Sequence, residues 1–215
     1  MNGRIRIDFV SDVSCPWCIV GLQSLEDALA RLGNQVNAEV HFQPFELNPE
    51  MPAGGQDIRE HLIKKYGLTS EQYEQNTEAM RARGEAVGFM FRMDKRSRIY
   101  NTFDAHQLLH WAGLEGRQLA LKHALFKAYF TDGEDPSSHE TLAGLAEKVG
   151  MDVARAREIL SSGEYAKEVR ERERYYLELG INAVPSVIIN DHQLIRGAQP
   201  SDMFAQALRE IAAVQ

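Results

Sequence analysis

Apolar and polar residues alternate from Ile5 to Phe9, the period of a strand with one buried face. After a short loop, Ser11 to Ser14, the period lengthens. Leu22, Leu25, Leu29 and Leu32 recur at helical spacing, and Gly33 follows as a C-terminal stop. Towards the other end, Ile181 to Asn190 is an apolar, β-branched run led by Pro185, a residue tolerated at a strand start because it need not donate to the ladder. Asn190-Asp191 reads as a hairpin turn, and Gln193 to Arg196 as a second short strand ended by Gly197.

Between Pro44 and Ala183 the pattern is mostly helical. Gln56 to Tyr66 puts Ile58, Leu62, Ile63 and Tyr66 on one face. Thr69 with Gln72 forms a capping-box pattern for a long helix reaching about Val87. Asn101 caps a segment running to Trp111, with Gly113 after it, and Gly116 to Phe130 carries Leu119, Leu125, Phe126 and Tyr129. Ser137 with Glu140 forms a second capping box whose helix stops at Gly150, Asp152 caps a short helix, and Gly163 precedes a charged helix ending at Gly180. Short loops between these segments predict a compact helical domain, with its boundary in the Pro/Gly-rich stretch Pro49 to Gly55.

The chain has 215 residues, enough for one large domain or one domain with a substantial insertion, and it needs no disulfide staples or structural metal to fold. Lys and Arg total 24 against 31 Asp and Glu, a net charge of -7, which argues against binding a nucleic-acid phosphate backbone. Hydrophobic content of 44% and charged content of 26% exclude wholesale disorder, and no apolar run is long enough to span a membrane. The N-terminal residues show a strand pattern where a secretory signal would show an apolar stretch, so a cytoplasmic protein is expected. In that reducing compartment a cysteine pair is expected to be functional rather than structural.

The two cysteines are Cys15 and Cys18, in Ser14-Cys15-Pro16-Trp17-Cys18. Three chemistries compete for such a pair. A structural zinc needs four ligands; no second Cys pair exists, and His106 and His110, spaced i,i+4, lie in a distant segment. A bland pair of buried thiols is the second. A redox dithiol is the third, and the context favours it. Strand, short loop and helix in succession place Cys15 at the helix start, where unpaired N–H groups and the positive end of the helix dipole stabilise a thiolate. Pro16 suits an early helical position because it has no N–H to leave unsatisfied. Cys18, one turn on, is expected to be more buried and to act as the resolving thiol. Trp17 brings no charge to the intervening dipeptide, so the stabilisation expected is moderate.

A strand, Cys-Pro-X-Cys at a helix start, a large gap, then Val184-Pro185-Ser186-Val187 before a hairpin resembles the thioredoxin superfamily, and more closely its DsbA-like branch with an inserted helical domain. Asp12 to Gly21 and Asn101-Thr102-Phe103-Asp104-Ala105-His106 are similar to the cytosolic FrnE-like subgroup. The resemblance implies an α/β thioredoxin fold with a large all-helical insertion: residues 1–53 and 163–215 form the thioredoxin part and 54–162 the insertion. It implies a thiol–disulfide oxidoreductase of reductase or isomerase type, with Ser14, Pro16 and Trp17 supporting the dithiol. It also implies that Pro185 is cis beside the dithiol and that the Val184 backbone pairs with a bound peptide or glutathione. Gly197, Ala198 and Gln199, in the turn before the last helix, and Asn101 are further candidates for binding substrate. The partners implied are disulfide- or thiol-containing proteins or small molecules, with glutathione as a co-substrate and no tightly bound cofactor, metal, nucleic acid or membrane.

Two rival readings share the architecture. One is a glutathione-dependent isomerase or transferase of the 2-hydroxychromene-2-carboxylate isomerase or kappa type; there the position matching Cys15 is typically serine, so this dithiol is a departure. The other is a holdase in which the dithiol is incidental. Three further features read blandly. The run Glu168 to Arg174 is expected to be a solvated helix face. His106 and His110 are expected to be helix-surface or capping residues rather than metal ligands. Met90, Phe91 and Met93 are expected to be core rather than a peptide-binding surface.

Overall fold

A computed structural model describes residues 4–213 of the chain. Strand β1 (Ile5–Ser11) leads through a tight loop into helix α1 (Pro16–Leu32), and the chain returns as β2 (Ala38–Pro44), parallel to β1. Much later come β5 (Ser186–Ile189) and β6 (Gln193–Arg196), each antiparallel to its neighbour, so the four-stranded sheet runs β2-β1-β5-β6. Asn190 and Asp191 both adopt positive φ (49° and 59°), as a type I′ hairpin turn requires, and His192 N–H donates back to Ile189. Helix α9 (Ser201–Ala213) closes the fold beside α1, where Arg31 donates to Asp202 and Ser201 at its N-terminus.

One face of the sheet buries Ile5, Ile7, Phe9, Val187 and Ile189 against α1 and α9. The other face, with Val10 and Ile188, packs on Phe45 and Tyr176. Helices on both faces explain why β1 is more buried than its alternation predicts: only Arg6 is exposed. Asp8 tolerates this burial because Arg6 grips both its oxygens at 2.8 Å and Gln43 donates at 2.6 Å.

Between β2 and β5 lie a two-stranded ladder, β3 (Gln56–Asp57) with β4 (Arg98–Ile99), and seven helices: α2 (Ile58–Tyr66), α3 (Ser70–Ala86), α4 (Phe103–Leu114), α5 (Gln118–Lys127), α6 (His139–Lys148), α7 (Val153–Ser162) and α8 (Ala166–Glu178). The Thr69–Gln72 capping box forms with both its hydrogen bonds, and Asp152 caps α7. The cap of α6 is Ser138, not Ser137, whose hydroxyl is spent on Asp135. Leu119 faces solvent; the buried stripe of α5 is Leu121, Lys122, Leu125 and Phe126. A single π-helical turn (Ala128–Asp132) extends α5 and carries Tyr129 and Phe130 inwards. Gln118 donates to and accepts from the Phe42 backbone, satisfying part of the free edge of β2. In α8 the charged run is not wholly solvated: Glu173 is buried, and Arg170 bridges it to Glu46.

Two cores result. The sheet core holds α1 and α9, and α4 to α7 form a helical core. Val13, from the loop before the cysteines, belongs to the helical core, so that loop is held by the insertion as well as by the sheet. Gly21 lets Pro185 lie directly on α1, for a Cβ there would stand 3.1 Å from Pro185 Cγ and 3.5 Å from Ala198 Cα. Gly21→Val is therefore expected to destabilise the fold by about 1–3 kcal/mol through overpacking, measured as a lower urea midpoint at unchanged m-value.

Candidate active site

The β1–α1 loop is organised by one carboxylate. Asp12 accepts from Ser14 N–H (3.1 Å), from the Ser14 hydroxyl (2.9 Å) and from Leu47 N–H (2.7 Å). His106 Nε2 stands 3.6 Å from Asp12 and 3.2 Å from the Phe45 carbonyl. Burial alone would raise the Asp12 carboxyl. The hydrogen bond and charge of His106, with the Leu47 and Ser14 amides, outweigh it and hold the group at about 2. His106 is thus a buried partner of the site loop rather than a surface residue, and His110 is half-buried against the Tyr165 ring.

With the loop held, Cys15 falls at the N-cap of α1 with extended backbone (φ -91°, ψ 112°), and Pro16 takes the first helical position. The first turn carries no acidic residue, so nothing there opposes an anion at the positive end of the helix. The Cys15 thiol points at the Val184 carbonyl, 3.7 Å away. Cys18, fully buried, donates its N–H to the Cys15 carbonyl (3.2 Å). Burial pushes the Cys18 thiol well above its ordinary value, and its hydrogen bond to Cys15 and that residue's charge act in the same direction. The two sulfurs are therefore inequivalent: Cys15 faces a cleft, and Cys18 holds its proton behind it.

The Val184–Pro185 peptide bond is cis. The Pro185 carbonyl accepts from Gly197 N–H (2.9 Å), and Ala198 packs on the sheet core. Gln199 turns back onto the Arg196 carbonyl. Asn101 is placed otherwise: its amide donates to Glu46 and to the Pro49 carbonyl, and its oxygen accepts from Phe103 N–H. The N-cap of α4 is Thr102, not Asn101, which stands one residue earlier and accepts from the first amide of the helix.

A cleft of about 420 Å³ opens at Cys15. One wall is Ser14 to Trp17 with Val184; the other is formed by α2 and α3, with Leu62, Tyr66, Tyr73 and Met80. Trp17, 44% exposed, stands at its edge. Met93 lines it, whereas Phe91 is core and Met90 is exposed. Two cations border it. Lys65 is tied to Leu47 O and Asn48. Arg96 is stacked 4.6 Å from the Tyr129 centroid and 4.5 Å from that of Phe130 and donates to the Ser14 carbonyl.

Asp12, Arg96 and Lys122 go beyond the residues picked from the motifs. Lys122 alone left a usable signal, a charge on the apolar stripe of α5 with Leu125, Phe126 and Tyr129. Asp12 sits inside the motif with no periodicity to mark it, and Arg96 reaches the site only through the folding of the loop before β4.

Residues 6–209 match the family model described as DSBA-like thioredoxin domain. A probable DsbA oxidoreductase from Streptomyces coelicolor is similar in structure (TM-score 0.91), 34% identical, with 98% of this chain and 91% of that one covered. The YwbO protein of Bacillus subtilis is 28% identical over 96% of both chains. The cytosolic disulfide reductase DsbM from Pseudomonas aeruginosa, solved with GSH, shares the fold at 15% identity (TM-score 0.66, 98% of each chain covered). The chain belongs to the DSBA-like thioredoxin domain family, and its class is that of the disulfide oxidoreductases.

The Asp12 knot has a pH signature. Its carboxyl is held at about 2 against an ordinary 3.8, so its stabilisation is complete above the unfolded value and drains away as pH falls through about 2. The difference amounts to about 2 kcal/mol. Urea titrations between pH 5 and 2 are expected to show the wild-type protein losing that much more stability than Asp12→Asn; equal losses would mean that the carboxylate is not held down.

Proposed function

We propose that this protein is a thiol–disulfide oxidoreductase of reductase or isomerase type in which Cys15 attacks and Cys18 resolves. The observation that carries this is the inequivalence of the two sulfurs: both residues are buried, but Cys15 stands at a helix N-cap and lines an open cleft, whereas Cys18 is wholly enclosed and its burial raises the thiol. The Cys15 thiolate attacks a substrate disulfide, joining one sulfur and releasing the other as a thiolate that takes a proton from water. Cys18 then loses its proton and displaces the bound sulfur. The products are a Cys15–Cys18 disulfide and a substrate reduced by two electrons. Two thiols from a small-molecule donor return the pair to the dithiol; the reverse order oxidises a substrate dithiol. The Val184 carbonyl and the cis-Pro185 turn supply a backbone edge beside Cys15 on which an extended substrate can lie.

Reduction of insulin is expected to require Cys15, with Cys15→Ser inactive. Cys18→Ser is expected to trap a mixed disulfide on Cys15, detectable by mass spectrometry. Full activity of Cys15→Ser would end this reading. The reduction potential of the pair against glutathione fixes the working direction: a value near the cytosolic glutathione poise marks a reductase or isomerase, and a much more oxidising one a disulfide donor. A cytoplasmic setting is part of this proposal, supported by the fold shared with cytosolic DsbM and tested by cell fractionation.

Glutathione as the co-substrate is the second part of the reading. It is favoured by the size of the cleft and by Arg96, whose guanidinium lines it and donates to the Ser14 carbonyl next to Cys15. A carboxylate is the natural partner of such a fork. Arg96→Met is expected to raise the KM for glutathione disulfide about tenfold, the loss of one charge-assisted contact. Turnover of the uncharged 2-hydroxyethyl disulfide is expected to change little; equal effects on both would remove the carboxylate from the reading. The isomerase or transferase alternative is disfavoured by Cys15 itself, at a position where those families typically carry serine.

A further inference from the structure

A second cavity, of about 190 Å³, lies between β2, α4, α5 and α8 and shares no lining residue with the cleft at Cys15. It runs from the surface, where Arg6 and Arg172 are exposed, to Lys122, whose side chain is wholly buried. Between them His41 of β2 and His106 and His110 of α4 line the walls. None of the residues lining it is acidic. A space of this size is below that of an ordinary small-molecule pocket, so what fits is water or a compact ion.

The acids nearest these groups are already engaged. Arg6 and Gln43 hold Asp8. Glu39 pairs with Arg4 at 2.6 Å and with His41 at 3.2 Å. Asp12 accepts from Ser14 and Leu47 and faces His106. Glu168 reaches His110 only through its field, which Arg172 opposes. The Gln118 side chain is spent on the backbone of Phe42 and Leu109. Lys122, His110 and Arg172 are thus donors on one cavity that make no hydrogen bond to the protein among the described residues.

Lys122 is the strongest of the three signals. Its ammonium lies 4.8 Å from the Phe126 ring centroid and 5.7 Å from that of Phe42. Ring faces offset only part of the cost of burying a cation, and they leave its three N–H donors without an oxygen. Burial lowers the ammonium to about 8, so it is still mostly charged at neutral pH and carries that charge to the inner end of the cavity.

We propose that this cavity binds a compact phosphate-type oxyanion, either free phosphate or the head of a phosphomonoester, with Lys122 at its inner end, His110 on its wall and Arg172 at its mouth. The three donors come from three helices, α4, α5 and α8, and converge from different sides. A tetrahedral anion presents oxygens in all those directions, whereas a carboxylate presents two in one plane. The site is separate from the dithiol and stands or fails independently of the two-cysteine mechanism.

The test is calorimetry on the full reduced chain at pH 7, in chloride buffer of constant ionic strength, with inorganic phosphate, sulfate, acetate and glycerol 3-phosphate as probes. Phosphate is expected to bind once per chain, with sulfate competing and acetate at least about tenfold weaker. Glycerol 3-phosphate binding as well as phosphate marks a phosphomonoester as the ligand; its exclusion marks the free ion. In amide spectra phosphate is expected to move the resonances of Phe42, His110 and Lys122 and to leave those of Ser14 and Trp17 in place.

Lys122→Met is expected to weaken phosphate binding by at least about tenfold, the loss of one charge-assisted contact. Arg172→Ala, at an exposed position on α8, is expected to weaken it by about threefold or more, and covers the case in which Lys122→Met does not fold. Arg96→Met, in the other cleft, is expected to bind phosphate as the wild type does. Four results would each overturn the assignment: no heat up to about 20 mM phosphate, acetate bound as well as phosphate, an affinity untouched by Arg172→Ala, or spectral changes confined to the cleft at Cys15.

Discussion

The site depends on one buried carboxylate. Asp12 is the point at which the end of β1, the turn at Ser14 and the backbone at Leu47 meet. The loop between β1 and α1 is thereby fixed on itself and tied to Leu47, distant in sequence, and the N-cap position of Cys15 follows from that. A free loop of this length has many conformations, and only a few put a sulfur at the first turn of a helix. The carboxylate selects among them, and Val13, inserted into the helical core beside it, prevents the loop from rotating away. The reactive geometry is thus a property of packing between two cores, not of the four-residue motif alone.

Much of this was legible from the residues. The alternation at Ile5 to Phe9, the leucine spacing of α1 and the Gly33 stop define the first strand and helix. Thr69 with Gln72, and Asp152, mark helix starts because capping is local chemistry, readable within four residues. Asn190-Asp191 marks the hairpin for the same reason. What could not be read depends on tertiary partners. Ser137 and Ser138 look alike until Asp135 claims the first. Leu119 fits the helical period, yet the stripe that meets the sheet is turned towards Lys122. The short ladder of β3 and β4 is too brief to show any period. At the site, the cysteines, Pro185 and Val184 could be picked from motifs. Arg96 and His106 reach it from elsewhere in the chain, and the cap of α4 falls on Thr102, one residue past Asn101.

The site also shows where stability is given up. Cys18, Asp12, Arg96 and Lys122 are polar or ionisable groups in a region that apolar side chains could fill, and Arg96 and Lys122 carry nitrogens without a protein partner among the described residues. Buried groups of this kind weaken a fold unless they are paired. Buried polar groups gathered near one dithiol are the pattern expected when function sets the local composition.

The far wall of the cleft is built differently from everything facing it. Helix α3 buries only Met80 and Gly84, and Gly84 sits so tightly on Phe91 that an added Cβ would fall 2.3 Å from the ring. Substitutions elsewhere along that helix disturb almost no packing. The shape of that wall can therefore be altered through α3 while the loop that seats Cys15 stays intact.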